Sequence, residues 1–228
     1  MKYQLPRKPD AVLFDLDGTL IDSAPDLAGA VNALRTARGM AEIPYELLRP
    51  YASQGARGLI GQGFGIAPEH ADFEALKNEF LDYYEANSCV RTCLFDGVED
   101  MLQYLESRQI PWGIITNKHA RFTEPLVEQL GFTHRAAVIV SGDTTAHAKP
   151  HPAPMYYAAD VMGVDAANCV YIGDDERDIA AAHAAGYMSA IAVAYGYGAL
   201  KEIKDWHASA CVMTAVELLA LLRSGNDG

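Results

Sequence analysis

Short apolar runs alternate with helical stretches along this chain, and the alternation is broken once. The runs lie at 11–14, 112–116, 137–141, 169–173, 189–194 and 211–213. Most are rich in Val and Ile and too short for helices, as strands buried on both faces of a parallel sheet are. Between them the spacing turns helical. Phe122, Leu126 and Leu130 recur every four residues, and the helix-forming stretches 153–162 and 178–185 are followed by Gly163 and Gly186, which suit C-terminal caps. Repeated strand–helix alternation predicts a parallel sheet covered by helices on both faces.

The break runs from about Ala24 to Leu94, where no convincing strand is found. Residues 24–38 read as a helix with Ser23 as N-cap and Pro25 in the first turn. Residues 73–87 read as another, with Phe73, Leu76, Phe80 and Tyr84 on one stripe. So long a stretch exceeds any ordinary loop in a compact domain. It predicts a small helical domain inserted after the first strand, its exit marked by the turn signal Asp96-Gly97.

Composition bounds the partners. The 228 residues carry a formal net charge of -12, which argues against a nucleic-acid or anionic-membrane binder. It leaves room for an anionic small molecule, because a metal and a few placed cations reverse the field inside a pocket. Four cysteines, Cys89, Cys93, Cys169 and Cys211, form no C-x-x-C pair; Cys89 and Cys93, four apart, could share a helix face. The apolar run near the N-terminus is cut by Asp15 and Asp17, so no signal segment is read, and no window approaches a membrane span. The expectation is a soluble cytoplasmic protein.

Four clusters at strand ends carry chemistry. The first is Asp15-Leu16-Asp17-Gly18-Thr19-Leu20, where two carboxylates follow an apolar strand. That is a costly place for paired negative charge unless a hard divalent cation such as Mg²⁺ relieves it. The second is Ile114-Ile115-Thr116-Asn117-Lys118, where the Thr116 hydroxyl and the Asn117 backbone N–H could donate to a phosphate. In the third, Lys149 is stiffened between Ala148 and Pro150-His151-Pro152, which suits a fixed point charge. The fourth, Tyr171-Ile172-Gly173-Asp174-Asp175-Glu176-Arg177-Asp178, crowds acidic residues at another strand end. Two acidic strand ends in one sheet point to a shared metal. The glycines Gly58, Gly61, Gly63 and Gly65 fit no dinucleotide loop and are expected on a flexible surface.

In order and spacing the four clusters resemble the motifs of the haloacid dehalogenase-like hydrolase superfamily, and the helical insert resembles its α-helical cap. The resemblance implies an α/β fold, a Rossmann-like parallel sheet core (1–22 and 95–228) with an inserted helical cap domain (23–94). It implies Asp15 as nucleophile and Mg²⁺ ligand, and Asp17 as general acid and base with its backbone carbonyl on the metal. It implies Thr116 and Lys149 on the phosphoryl oxygens, Asp174 on the metal and Asp178 in support. Asp175 stands where relatives often have Ser.

Within the superfamily, Thr116-Asn117-Lys118, Gly142-Asp143-Thr144 and Lys149-Pro150-His151-Pro152-Ala153-Pro154 are similar to phosphoglycolate phosphatases. Ser53-Gln54-Gly55-Ala56-Arg57, Leu94-Phe95-Asp96-Gly97 and Arg121-Phe122-Thr123-Glu124-Pro125 are similar to N-acetylmuramic acid 6-phosphate phosphatases. The implied activity is hydrolysis of a small phosphorylated metabolite, with Asn117, Gln54 and Arg57 as further substrate contacts. Arg57 offers a fork for a substrate carboxylate. A dehalogenase would lack the second aspartate; a phosphosugar mutase would share the core; a receiver-type switch would need no insert.

Overall fold

The computed structural model describes residues 3–5, 7–187, 189–198 and 203–225. The chain divides into two compact units, one of Met1–Leu20 with Leu94–Gly228 and one of Ile21–Cys93.

The first unit is built on six parallel strands in the order β5-β4-β1-β6-β7-β8. They are β1 (Ala11–Phe14), β4 (Trp112–Ile115), β5 (Val138–Val140), β6 (Cys169–Gly173), β7 (Ser189–Val193) and β8 (Ala210–Val212). β2 (Ile21–Asp22) and β3 (Cys93–Leu94) pair separately as a two-residue ribbon that the sequence pattern did not register. Every residue of β1, β4, β6 and β7 is buried, because helices cover both faces of the sheet. On one face Leu13, Ile115, Val140 and Tyr171 pack with Met155, Ala158, Ile179 and Ala182 of the helices Ala153–Met162 and Glu176–Ala184. This is a Rossmann-like α/β core. From β1 the chain builds outward through β4 to β5, then returns to β6 on the other side and builds outward to β8. β1 therefore lies at the reversal of strand order, where open α/β sheets bind ligands at their carboxyl ends.

The helices of this unit include Val98–Ser107, Ala120–Gln129, Ala153–Met162, Glu176–Ala184 and Ala215–Ser224. Gly163 ends the third in a left-handed cap, as the spacing predicts. The fourth starts at Glu176, two residues earlier than the pattern suggests. Among the described residues no helix is long and apolar enough to cross a membrane.

The second unit is helical, with Ala24–Ala37, Tyr45–Leu48, a 3₁₀ turn at Arg49–Gln54, Gly55–Phe64 and Phe73–Asn87. The stripe Phe73, Leu76, Phe80 and Tyr84 is buried. Asp26 closes the unit: its buried carboxylate accepts from the backbone N–H groups of Val90, Arg91 and Thr92 and from the Thr92 hydroxyl. That explains the charge in an otherwise buried first turn.

Three sequence expectations fail here. Ser23 occupies the N-cap position, yet its backbone is in the helical region and its side chain makes no capping bond. Cys89 and Cys93 do not share a helix face, since the helix ends at Asn87 and Cys93 is in a strand. Half of the glycine cluster is not surface: Gly58 and Gly63 are buried in Gly55–Phe64, while Gly65 is exposed. Gly63 is the one against another helix, since a Cβ on it would come within 2.6 Å of Val31 Cγ1. Its small size lets two helices approach closely.

Candidate active site

β1 delivers Asp15 to the carboxyl edge of the sheet while the backbone is still in the ladder, with Asp15 N–H donating to Ile172 O at 2.9 Å. The chain then turns through Gly18 at φ 88°, and a Cβ there would lie 2.2 Å from an Asp174 carboxylate oxygen. Only glycine allows this approach. It brings the turn after β1 against the residue after β6. Asp174 is almost wholly buried, accepting from the Thr19 hydroxyl at 3.3 Å and from Tyr197 N–H at 2.8 Å. Carboxylate oxygens of Asp15, Asp174 and Asp178 lie within 4.8 Å of one another.

Lys149 faces this cluster from the segment after β5. Asn117 holds its main chain from both sides, donating to Lys149 O and accepting from Lys149 N–H, each at 2.9 Å. The side chain is thereby aimed inward, with Nζ 2.9 Å from Asp15 Oδ1 and 2.6 Å from Asp178 Oδ1. Thr116, buried at the end of β4, accepts from Lys118 N–H at 3.1 Å and keeps its hydroxyl proton for another acceptor. Lys118 in turn pairs with both oxygens of Asp17, at 3.1 and 3.2 Å.

Burial dominates the electrostatics. Desolvation raises the Asp15 carboxyl to about 7, against the pull of Lys149 and with repulsion from Asp178 and Asp17. Desolvation, then the charges of Asp15 and Asp178, pushes Asp174 well above the carboxylate range. The Lys149 ammonium is pulled down by burial, but Asp15 and Asp178 outweigh this and hold it above its ordinary value. Ionised together, three clustered carboxylates facing one ammonium would leave excess negative charge in a desolvated space. A hard divalent cation bound by oxygen ligands fits that arrangement.

Asp175 has an identified role. It is the N-cap of the helix Glu176–Ala184, accepting from Arg177 N–H at 3.0 Å, while Asp178 reciprocates by accepting from Asp175 N–H at 3.1 Å. This capping box is why the helix begins at Glu176. Asp175 also grips the Arg177 guanidinium at 2.7 and 2.8 Å, and those bonds hold its carboxyl low against the opposing effect of burial. Asp175 therefore spends its oxygens on the helix start and on Arg177. The Asn117 side chain is committed to Lys149, which leaves its backbone N–H as the donor for a ligand. Gln54 and Arg57 are both exposed in the helical unit, Gln54 ending the 3₁₀ turn and Arg57 in the first turn of the next helix.

Sequence reasoning gave no role to Lys118 or Tyr171. Lys118 follows the Thr-Asn pair, and nothing beside it in the chain marks Asp17 as its partner. Tyr171 sits in an apolar run, yet its hydroxyl lies 2.8 Å from Lys149 Nζ.

Residues 9–186 match the family model described as haloacid dehalogenase-like hydrolase. The chain is 51% identical over 191 residues to the phosphoglycolate phosphatase of Xanthomonas campestris pv. campestris (strain 8004), a match covering 84% of this chain and 86% of that one. It is 38% identical over 219 residues to the N-acetylmuramic acid 6-phosphate phosphatase of Pseudomonas putida KT2440, covering 96% and 98% respectively. A crystal structure described as a predicted phosphoglycolate phosphatase from Haemophilus somnus 129PT superposes with a TM-score of 0.82 at 26% identity, over 95% of this chain and 99% of that one.

Proposed function

The chain belongs to the haloacid dehalogenase-like hydrolase family and is a phosphoric monoester hydrolase; on that premise we propose that it is a Mg²⁺-dependent phosphoglycolate phosphatase working through a phospho-aspartate. The observation that carries this reading is the placement of Asp15. Its carboxylate ends the central strand, 2.9 Å from the Lys149 ammonium and clustered with Asp174 and Asp178.

Asp15 attacks phosphorus, forming a new O–P bond as the bond to the leaving alcohol oxygen breaks. Asp17 gives its proton to that oxygen. Water then attacks the phosphorus of phospho-Asp15, Asp17 takes up the water proton, and inorganic phosphate departs with the Asp15 carboxylate restored. Thr116 and Lys149 hold the phosphoryl oxygens, Lys149 as a fixed charge whose proton is retained because its pKa is high. Asp15, Asp174 and the Asp17 backbone carbonyl would hold Mg²⁺, with Asp178 in support. The cation supplies charge neutralisation on the transferring group.

The substrate assignment follows the 51% identity to a phosphoglycolate phosphatase. A second substrate, N-acetylmuramic acid 6-phosphate, is favoured by the relative that matches nearly the whole chain. Arg57, proposed to read the carboxylate with Gln54 beside it, suits either one, since both substrates carry that group.

The test is phosphate release from phosphoglycolate, N-acetylmuramic acid 6-phosphate and glucose 6-phosphate, with Mg²⁺ and after chelation. Highest kcat/KM on phosphoglycolate, lost on chelation, is expected. Preference for the muramic acid ester would move the assignment to the second substrate. Full activity after exhaustive chelation would rule out the metal.

A further inference from the structure

The Lys149 ammonium carries three protons but meets four acceptors. They are Asp178 Oδ1 at 2.6 Å, Ile115 O and Tyr171 Oη at 2.8 Å, and Asp15 Oδ1 at 2.9 Å. Two acceptors are carboxylates of the acidic cluster. The other two form the inner side of the cradle, and one of them is the hydroxyl of a residue that the mechanism above does not use.

Tyr171 is the only polar side chain between Cys169 and Gly173 in β6, and it is fully buried. In the sheet register it lies beside Leu13 of β1, whose other neighbour is Gly113 of β4. Its hydroxyl nevertheless donates to Ile115 O, the last carbonyl of β4, at 2.7 Å. The ring therefore crosses the face of β1 to reach the strand beyond it. With its single proton given to Ile115 O, the phenol oxygen turns lone pairs to the ammonium. Packing alone does not require this oxygen. The ring's edge contact with Tyr187, centroids 6.4 Å apart, would be made equally well by Phe.

We propose that Tyr171 is a positioning residue for Lys149. The inference rests on the phosphatase reading and adds a residue to it. Tyr171 Oη and Ile115 O take two of the ammonium's protons on the inner side. Asp15 and Asp178 share the third, and that is the donor a phosphoryl oxygen takes over. Without the hydroxyl, three protons meet three acceptors, and Lys149 pairs fully with both carboxylates, Asp15 among them. The nucleophile is then held by its own partner, so kcat falls more than KM rises.

Tyr171→Phe in the full chain, assayed with Mg²⁺ on phosphoglycolate, is expected to lose about ten- to a hundredfold in kcat. In a Lys149→Met background, the same change is expected to cost nothing further in residual turnover, because the group it positions is gone. Tyr187→Phe is the control. That hydroxyl donates to Met155 O at 2.9 Å in the same core, and its loss should lower the melting temperature without lowering kcat. An equal kcat loss from Tyr171→Phe in both backgrounds, an unchanged kcat in the wild-type background, or a Tyr171→Phe protein that does not fold would each overturn the inference. A wild-type protein that releases no phosphate would instead sink the reading on which it rests.

Discussion

The ammonium of Lys149 lies 2.9 Å from a carboxylate oxygen of Asp15 at the carboxyl end of the central strand. Neither residue is near the other in sequence; the strand order and the Asn117 clamp bring them together. Asp15→Asn keeps the shape but removes both the negative charge and the nucleophilic oxygen. Turnover is expected to vanish while the melting temperature of the metal-free protein stays equal or rises, since a buried charge has been removed. Near-wild-type phosphate release from a folded variant would end the phospho-aspartate reading.

Asp174 is one of the two buried members of the acidic cluster and is fixed by Thr19 and Tyr197. Asp174→Ala is expected to raise the Mg²⁺ concentration needed for half-maximal rate by about ten- to a hundredfold or more, the scale seen when even outer partners of a metal site are lost. Titration of activity against Mg²⁺ reads this directly. An unchanged midpoint would exclude Asp174 as a ligand.

The metal-free protein should lose stability as pH rises. Burial lifts Asp15 from 3.8 to about 7 and lifts Asp174 well above its ordinary value, so the native state binds protons that the unfolded chain has released. Where the native state binds more protons, stability falls with increasing pH. The window opens near the unfolded value of 3.8 and, for Asp15, closes near 7. Melting in chelator across that window should show a falling midpoint, and Mg²⁺ should flatten the fall. A midpoint that climbs through the window in chelator would contradict the assigned burial of these carboxyls.

Asp175 caps the helix that carries Asp178. Asp175→Ala should cost about 1 kcal/mol of stability, whereas Asp175→Ser should restore most of it, because Ser is an equally good N-cap. Denaturant unfolding distinguishes the two. Equal losses from both would show that the Arg177 pairing, which Ser cannot make, is what matters.

Arg57→Ala tests how the substrate is read. If Arg57 binds the carboxylate, kcat/KM on phosphoglycolate should fall by about 1.5–3 kcal/mol of transition-state binding, while a small uncharged phosphate ester is spared. Equal losses on both esters, or none on either, would remove Arg57 from the site.

The sequence by itself determined the sheet and the chemistry at its edge. Short Val- and Ile-rich runs cannot be helices or solvated loops, so 11–14, 112–116 and 169–173 were legible as buried strands, and Asp15, Thr116 and Asp174 were legible at their ends. The stripe Phe73, Leu76, Phe80 and Tyr84 was legible because its 3.6-residue period has one physical reading. Only tertiary structure decided which groups meet. Nothing local marks Gly63 as a helix-packing residue, Asn117 as the clamp on Lys149, or Tyr171 as more than core, because each depends on an atom from a distant part of the chain. Hydrogen bonds and close packing act over a few ångströms in space and leave no periodicity in sequence. Local spacing therefore reveals the elements and their ends, while the partners of Lys149 emerge only when β4, β1 and β6 lie side by side.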